Sequence, residues 1–254
     1  MKKLFGVGFL VCILLMSFSM AYADPLVYVN TRPVTIGSPV GDPAGSDLQT
    51  LLNPIGINVN TDQQAAGYWQ LGGINPGTLP TVAFEITANS ATLQMGIFSD
   101  INGDTDSEGR THVDIFMGPA IAGSTAAITF NLETGAMSIS QVSGPSGAVN
   151  AGTFSGITPS GFGFYIQPTG DALTWYSLDQ LNTNGYAQMV AFRELPDNRW
   201  TLGFEDVAYP QGDHDFNDFI FQIESITPVP EPLSLILLGF GLVGLAGIRR
   251  KIKK

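Results

Sequence analysis

One short segment of the sequence concentrates groups that could bind a metal ion. The segment GDHDFNDFIFQIE (212–224) holds three aspartates and an asparagine within six residues, and a Glu-Asp pair stands just upstream in LGFED. The candidate ligands are Asp213, Asp215, Asn217, Asp218, Glu205 and Asp206. Carboxylate and amide oxygens are the ligands that calcium prefers. Carboxylates this close raise one another's pKa unless a cation lies between them.

The spacing of these residues lets them converge on one ion. Asp213, Asp215 and Asn217 alternate. In an extended chain their side chains would share one side at intervals of about 7 Å, and a bend would bring them to a single ion. We therefore predict a calcium site that Asp218 joins from the next turn. The alternative needs no metal: Asp213 and Asn217 form Asx turns, and Asp218 caps a strand end.

A second acidic segment, SDINGDTDSEGRTHVD, places oxygen-bearing side chains at every second position. These residues are Asp100, Asn102, Asp104, Asp106 and Glu108. Such spacing resembles the first half of an EF-hand loop, in which alternate residues curl around a calcium ion. The required glycine and the bidentate glutamate of that motif fall on threonines, so the segment is not an EF-hand. We predict a calcium-binding loop between two strands; the alternative is a polar hairpin tip without metal.

The N-terminus has the three parts of a secretory signal peptide. Two lysines precede an apolar run that ends at Met20, and an A-x-A cleavage site follows at Ala21 and Ala23. We expect residues 1–23 to be removed after export by the Sec machinery. The single cysteine, Cys12, lies in this segment, so the exported chain would contain no thiol for disulfides, catalysis or zinc.

The C-terminus combines a short apolar segment with a basic tail. Residues 233–248 are almost wholly apolar, which predicts a transmembrane helix whose basic end stays cytoplasmic. Before and after this segment stand Pro230, Glu231 and Pro232, and Arg249 and Arg250. Residues 228–254 thus resemble the PEP-CTERM sorting signal. The resemblance implies cleavage by an exosortase in a Gram-negative bacterium that produces exopolysaccharide and forms biofilms, with the product at the cell surface or outside the cell.

The segment between the two signals is strongly acidic. It contains four arginines, no lysine and 21 of the chain's 22 acidic residues, so its formal charge is −17. Such a charge repels nucleic acid and anionic lipid and excludes both as partners, whereas it suits divalent cations. The simpler reading of the scattered charges is a solvated surface that keeps an exported protein soluble.

The hydrophobic pattern predicts an all-β fold. Short runs such as VAFEIT (82–87), AAITFNL (126–132), AMSISQV (136–142), FGFYI (162–166) and AQMVAF (187–192) have strand character, and Gly, Asn, Pro and Ser clusters separate them. We expect an antiparallel, jelly-roll-like β-sandwich over residues 81–227, with residues 24–80 as an N-terminal extension packed on it.

Part of this sandwich carries a family resemblance. The pieces GFGFYI, TWYSLDQLNTNGYAQMVAF, GFED and DHDFND follow one another between residues 161 and 224. Together they resemble the domain of unknown function 4114 family. One departure is Tyr209-Pro210, where glycines are usual. The resemblance names the segment but implies no function.

No catalytic motif accompanies these features. The sequence contains no G-x-S-x-G, P-loop or nucleotide fingerprint, and its two histidines lack zinc-ligand spacing. We therefore expect an exported, calcium-stabilised surface or matrix protein without catalysis. A carbohydrate-binding module or adhesin that stacks exopolysaccharide on Trp69 or Trp175 is the first alternative, although strand aromatics usually lie in the core. A secreted glycan-active enzyme is the second.

Overall fold

The computed structural model describes residues 32–72, 77–78, 81–85, 93–100, 110–118, 120–168, 173–195, 199–208 and 211–229. These residues all belong to one compact unit of the chain, formed by 27–102 and 106–229. The predicted signal peptide and the predicted transmembrane helix lie outside the described residues. Among the described residues, no helix is long and apolar enough to cross a membrane.

Strands make up most of the described structure. Helix α1 spans Leu48–Leu52 and is followed by a 3-10 turn at Asn53–Ile55. It begins after Asp47, whose side chain accepts a hydrogen bond from the Thr50 amide. Two further 3-10 turns span Asp179–Leu181 and Thr183–Gly185. The strands are β1 (Trp69–Leu71), β2 (Gly77–Thr78), β3 (Thr81–Glu85), β4 (Leu93–Asp100), β5 (Arg110–Phe116), β6 (Thr125–Asn131), β7 (Ala136–Ser143), β8 (Gly152–Phe154), β9 (Gly163–Pro168), β10 (Trp175–Tyr176), β11 (Met189–Glu194), β12 (Arg199–Phe204), β13 (Phe219–Ile223) and β14 (Ile226–Pro228).

The described strands form antiparallel sheets. A four-stranded sheet has the order β10-β9-β4-β5, and a larger sheet has the order β11-β12-β13-β3-β6-β7-β8, with β2 also paired to β6. Strands β1 and β14 form a short separate pair. The five predicted strands coincide with β3, β6, β7, β9 and β11 to within a few residues. The all-β, antiparallel prediction is therefore confirmed.

One hydrophobic core lies between the four-stranded and the larger sheet. Alternate side chains of each strand enter it, as the two-residue period of a strand requires. Ile97 and Phe164 enter from the four-stranded sheet and Leu202 and Phe221 from the larger one. The rings of Phe164 and Phe221 lie 5.1 Å apart between their centroids. Burial of one such side chain contributes about 1.5–3 kcal/mol.

A second, smaller core lies on the other face of the larger sheet. Val190, Phe192 and Ile220 point to this face, because their neighbours in β11 and β13 point into the first core. Leu48 and Leu52 of α1 cover them, and Ile57, Val59 and Phe216 complete the cluster. The segment that precedes β1 therefore packs directly behind the strands that carry the acidic motif.

Candidate metal centre

The acidic residues meet because β12 and β13 are paired neighbours. Phe204, at the end of β12, lies opposite Phe219, at the start of β13. Glu205 and Asp206 follow the first strand, and Asp218 directly precedes the second. The two ends of an antiparallel connection lie side by side, so these carboxylates are brought together by strand pairing alone.

The segment between these strands is bent at every second residue. His214 and Phe216 have φ angles of 58° and 57°, in the left-handed region that residues other than glycine uncommonly adopt. The chain is therefore bent here rather than extended, and the bends lie at the residues between the candidate ligands. Burial of Phe216 in the second core holds one of the two bends in place.

Glycines permit the close approach of this loop to its neighbours. A Cβ atom at Gly37 would overlap the carbonyl oxygen of Asp213, and the Gly37 amide donates a hydrogen bond of 2.7 Å to the His214 carbonyl. A Cβ atom at Gly212 would lie 2.5 Å from Oε1 of Glu205. The loop is thus held between the N-terminal segment and the end of β12.

Two groups of three carboxylates are close enough to surround a cation. Within each group, one oxygen from every residue lies within 4.8 Å of the others. The groups are Glu205, Asp213 and Asp215, and Glu205, Asp206 and Asp218. Hereafter these five residues are called the acidic cluster. Glu205 and Asp215 are each only 1% exposed, so the cluster is partly sealed from water.

Asn217 connects the cluster to the N-terminal segment. Its side-chain amide donates a hydrogen bond of 2.6 Å to Oδ2 of Asp215 and a second of 3.0 Å to Oδ2 of Asp42. A third hydrogen bond of 3.0 Å reaches the carbonyl of Ser46. Asn217 is fully buried, and it orients the Asp215 carboxylate against a segment about 170 residues earlier in the sequence.

Backbone amides fix two further carboxylates. The Val40 amide donates to Oδ2 of Asp213 at 2.7 Å, and the Asp206 amide donates to Oδ2 of Asp218 at 2.8 Å. Each bond uses one carboxylate oxygen and leaves the other oxygen of the same group for a further ligand. The cluster therefore consists of side chains held in place by surrounding backbone.

The electrostatics of the cluster are those of unneutralised negative charge. Burial, followed by the charges of Asp213, Asp215 and Asp206, raises the pKa of Glu205 to about 8. Burial is the largest cause that raises the pKa of Asp218 to about 9, and the charges of Asp206 and Glu205 are the next largest. Burial is also the largest cause that raises the pKa of Asp215 to about 7. The charges that raise these three pKa values are those of other carboxylates.

Buried oxygens of the acidic cluster and of Asn217 accept no hydrogen bond from the described residues. They are Oε2 of Glu205 and Oδ1 of Asn217. A buried acceptor without a donor costs about 1–3 kcal/mol, and more when it is charged. An ion bound by these oxygens would remove that cost. The donor set contains oxygen alone, which suits calcium, magnesium or manganese rather than zinc or copper.

The other predicted site residues lie elsewhere. Asp100 ends β4 opposite Arg110 of β5, so residues 101–109 connect two paired strands. Asn102, Asp104, Asp106 and Glu108 are outside the described residues, and the calcium prediction for that loop stays a prediction. The sorting-signal residues Pro230, Glu231, Pro232, Arg249 and Arg250 and the cleavage-site residues Ala21 and Ala23 also lie outside them.

The predicted stacking tryptophans are core residues. Trp69 has no exposed surface and packs against Phe164, with ring centroids 5.1 Å apart. Trp175 is 3% exposed, and its indole N–H donates a hydrogen bond of 2.8 Å to the Asp206 carbonyl. Neither ring presents a face to a sugar, so the suggestion of stacking is wrong for this structure. Trp175 instead supports the backbone of the acidic cluster.

Several residues of the site could not be recognised in the sequence. Asp42, Ser46 and Val40 come from the N-terminal segment, and the amide of Gln188 bonds the carbonyls of Glu205 and Val207. The Gly-Asp-Pro turn at 41–43 is a weak signal, because nothing in its spacing relates it to residues 205–218.

Comparison with known families adds two matches. Residues 153–226 match the family described as Domain of unknown function (DUF4114), and residues 228–251 match the PEP-CTERM protein-sorting motif. Both resemblances drawn from the sequence are confirmed, and the first extends further towards the N-terminus than residue 161. The acidic cluster lies wholly within the first match. No curated protein and no solved structure matches the chain. The sorting motif marks an exported protein that an exosortase processes.

Proposed function

We propose that this exosortase-sorted protein is a non-catalytic component of the cell surface or extracellular matrix, stabilised by calcium at the acidic cluster. One observation supports the cation: Oε2 of Glu205 is buried and accepts no hydrogen bond from the described residues, and four carboxylate side chains lie close to Glu205. A protein exported from the cell meets calcium at concentrations that extracellular modules bind, about 0.1–1 mM. The ion would hold the paired ends of β12 and β13 against the N-terminal segment.

The rest of the proposal concerns fold and setting. The body is a jelly-roll-like β-sandwich, an assignment supported by the two antiparallel sheets that share one core. A cleaved N-terminal signal and a C-terminal membrane helix flank it, and the sorting motif supports a membrane-anchored stage before release to the surface. The proposed setting is the exopolysaccharide matrix of a Gram-negative, biofilm-forming bacterium.

Two features support a role without catalysis. Carboxyl pairs that cleave glycosidic bonds stand about 5–10 Å apart across the sugar, with room for substrate between them. Within each group of the acidic cluster, one carboxylate oxygen from every residue lies within 4.8 Å of the others. Trp69 and Trp175 are buried, so neither indole ring is exposed for the sugar stacking that a carbohydrate-binding module would use.

The test is calorimetry of the full chain, purified in detergent, with calcium and with chelator. At about 100 times the dissociation constant one bound ion adds roughly 2.7 kcal/mol, which raises the melting temperature by several degrees. Asp215→Ala with Asp218→Ala should remove much of this difference, whereas Glu133→Ala, at an exposed turn, should leave it intact. Equal melting temperatures with and without calcium, together with no bound metal on elemental analysis, would contradict the proposal.

A further inference from the structure

The acidic cluster consists of two groups that share one residue. Glu205 belongs both to the group with Asp213 and Asp215 and to the group with Asp206 and Asp218. Ligands on opposite sides of a calcium ion, each about 2.4 Å from it, lie about 4.8 Å apart. Each group therefore has the size of one coordination sphere.

We propose that the cluster binds two divalent cations bridged by the Glu205 carboxylate. The proposal rests on the proposed function in taking calcium as the ion. Asp213 and Asp215 complete the first position, and Asp206 and Asp218 complete the second. Carboxylate-bridged pairs of ions lie about 3.5–4 Å apart, a separation that one carboxylate with two oxygens spans.

The charge of the cluster supports two ions rather than one. Five carboxylates carry five negative charges when ionised, and a single divalent cation would leave three of them unbalanced in a largely buried site. Two divalent cations leave one. Within each group the side chains nearest to Glu205 are themselves carboxylates. Two cations therefore balance this charge more fully than one.

Each group also retains oxygens for an ion. Asp213 and Asp218 each use Oδ2 to accept a backbone amide, which leaves Oδ1. Glu205 is 1% exposed, and its Oε2 accepts no hydrogen bond from the described residues. The uncharged side chain of Asn217 also supports an ion at this place. Its amide N–H donates to Asp215, and its buried Oδ1 accepts no hydrogen bond from the described residues.

The two positions would have different structural roles. The first lies beside the N-terminal segment, because Val40 bonds Asp213, and Asn217 joins Asp215 to Asp42. The second lies at the paired ends of β12 and β13, where the Asp206 amide bonds Asp218. Loss of the first ion should loosen the N-terminal segment, and loss of the second should loosen the strand ends.

The experiment counts ions in a background that removes the other predicted calcium loop. The full chain with Asp104→Asn and Asp106→Asn is dialysed against calcium in detergent, and bound calcium is measured by elemental analysis. We expect two ions in this background, one after Asp213→Asn, one after Asp218→Asn, and two after the control Glu133→Gln. Glu205→Gln should leave fewer than two, because it removes the bridge.

A second measurement uses the unmutated acidic cluster, so it does not depend on whether a variant of the cluster folds. The same background is loaded with a mixture of terbium and europium, and emission of europium after excitation of terbium is recorded. Two ions about 4 Å apart should give efficient energy transfer.

The possible results separate the two proposals. One calcium ion without energy transfer overturns the paired site and leaves the calcium-stabilised domain in place. Loss of all calcium in Asp213→Asn and also in Asp218→Asn, with each variant folded by circular dichroism, likewise indicates a single ion and overturns the pair. No bound calcium in the background overturns both the pair and the proposed function of the cluster.

Discussion

Two buried acidic sites of this protein are neutralised in different ways. Asp179 is fully buried and forms two hydrogen bonds with the guanidinium of Arg32, at 2.9 and 3.0 Å. Glu205 and Asp215 are buried to a similar degree, yet the charges acting on them are those of other carboxylates. The body has only four arginines, and one of them is used at Asp179. The proposed calcium ion would account for this difference, because it would supply at the acidic cluster the positive charge that Arg32 supplies at Asp179.

The largest expected effect is a pH dependence that only the acidic cluster shows. In the folded state the pKa of Asp215 is about 7 and that of Glu205 about 8, both above the ordinary values of these groups. The folded state therefore binds protons more tightly than the unfolded state does. In chelator, stability should be greatest near pH 4–5 and fall as pH rises through 7 and 8. Ionising Asp215 alone costs on the order of 4 kcal/mol.

Calcium should suppress this fall in stability with rising pH, because the bound ion takes the place of the protons on the carboxylates of the acidic cluster. The measurement is thermal unfolding of the full chain between pH 5 and 8.5, in chelator and in excess calcium. Asp215→Asn, which cannot ionise, should flatten the profile in chelator. A stability that rises with pH in chelator would mean that the cluster is neutralised within the chain, as Asp179 is.

Breaking the arginine-neutralised site should be nearly as damaging but independent of calcium. Arg32→Ala leaves the buried Asp179 without its counter-ion, and loss of one partner of a buried pair costs about 3–5 kcal/mol. The melting temperature should fall equally in calcium and in chelator. Arg193→Ala, at an exposed position of β11, is the matched control and should have little effect. Rescue of Arg32→Ala by calcium would show that the two sites are not separate.

The sequence predicted the parts of the site that strand pairing brings together. Alternating apolar residues indicated the antiparallel sheets, and the acidic motif identified Glu205 and Asp218 at what proved to be adjacent strand ends. It could not indicate Asp42, because docking of the N-terminal segment is a long-range contact without a local pattern. The bends at His214 and Phe216 were equally hidden, since residues other than glycine adopt left-handed backbone only uncommonly.

A smaller effect should come from Asn217, which contributes neutral donors where Arg32 contributes a charge. Asn217→Asp removes the amide that bonds Asp42, Asp215 and the Ser46 carbonyl, and it adds another negative charge. In chelator we expect a loss of about 1–3 kcal/mol, the usual cost of leaving buried acceptors unpaired. Calcium should recover part of this loss, because the new carboxylate is itself an oxygen ligand.

The readout is unfolding by urea at pH 7 in both conditions, with Asn217→Ala for comparison. The alanine variant loses the same hydrogen bonds but gains no ligand, so calcium should help it less than it helps the aspartate variant. If calcium stabilises both variants equally, the side chain at 217 does not contact the ion.

The smallest effect is expected at Glu194, a third acidic side chain that shares features of both sites. It is 7% exposed and binds Arg199, with Nε and Nη2 at 2.9 and 2.5 Å from Oε2, but it also accepts hydrogen bonds from Thr201 and Gln222. The Arg199 side chain is 37% exposed, so water can replace it. Arg199→Ala should therefore cost less than about 1 kcal/mol of stability, the range of exposed ion pairs, and its stability should not respond to calcium.

Urea unfolding of Arg199→Ala and Arg32→Ala, measured side by side, compares the two losses of stability. A loss for Arg199→Ala as large as that for Arg32→Ala would mean that neutral donors cannot hold a buried carboxylate here. In that case Asn217 could not stabilise Asp215 without an ion, and the dependence of the acidic cluster on calcium would be stronger than its hydrogen bonds indicate.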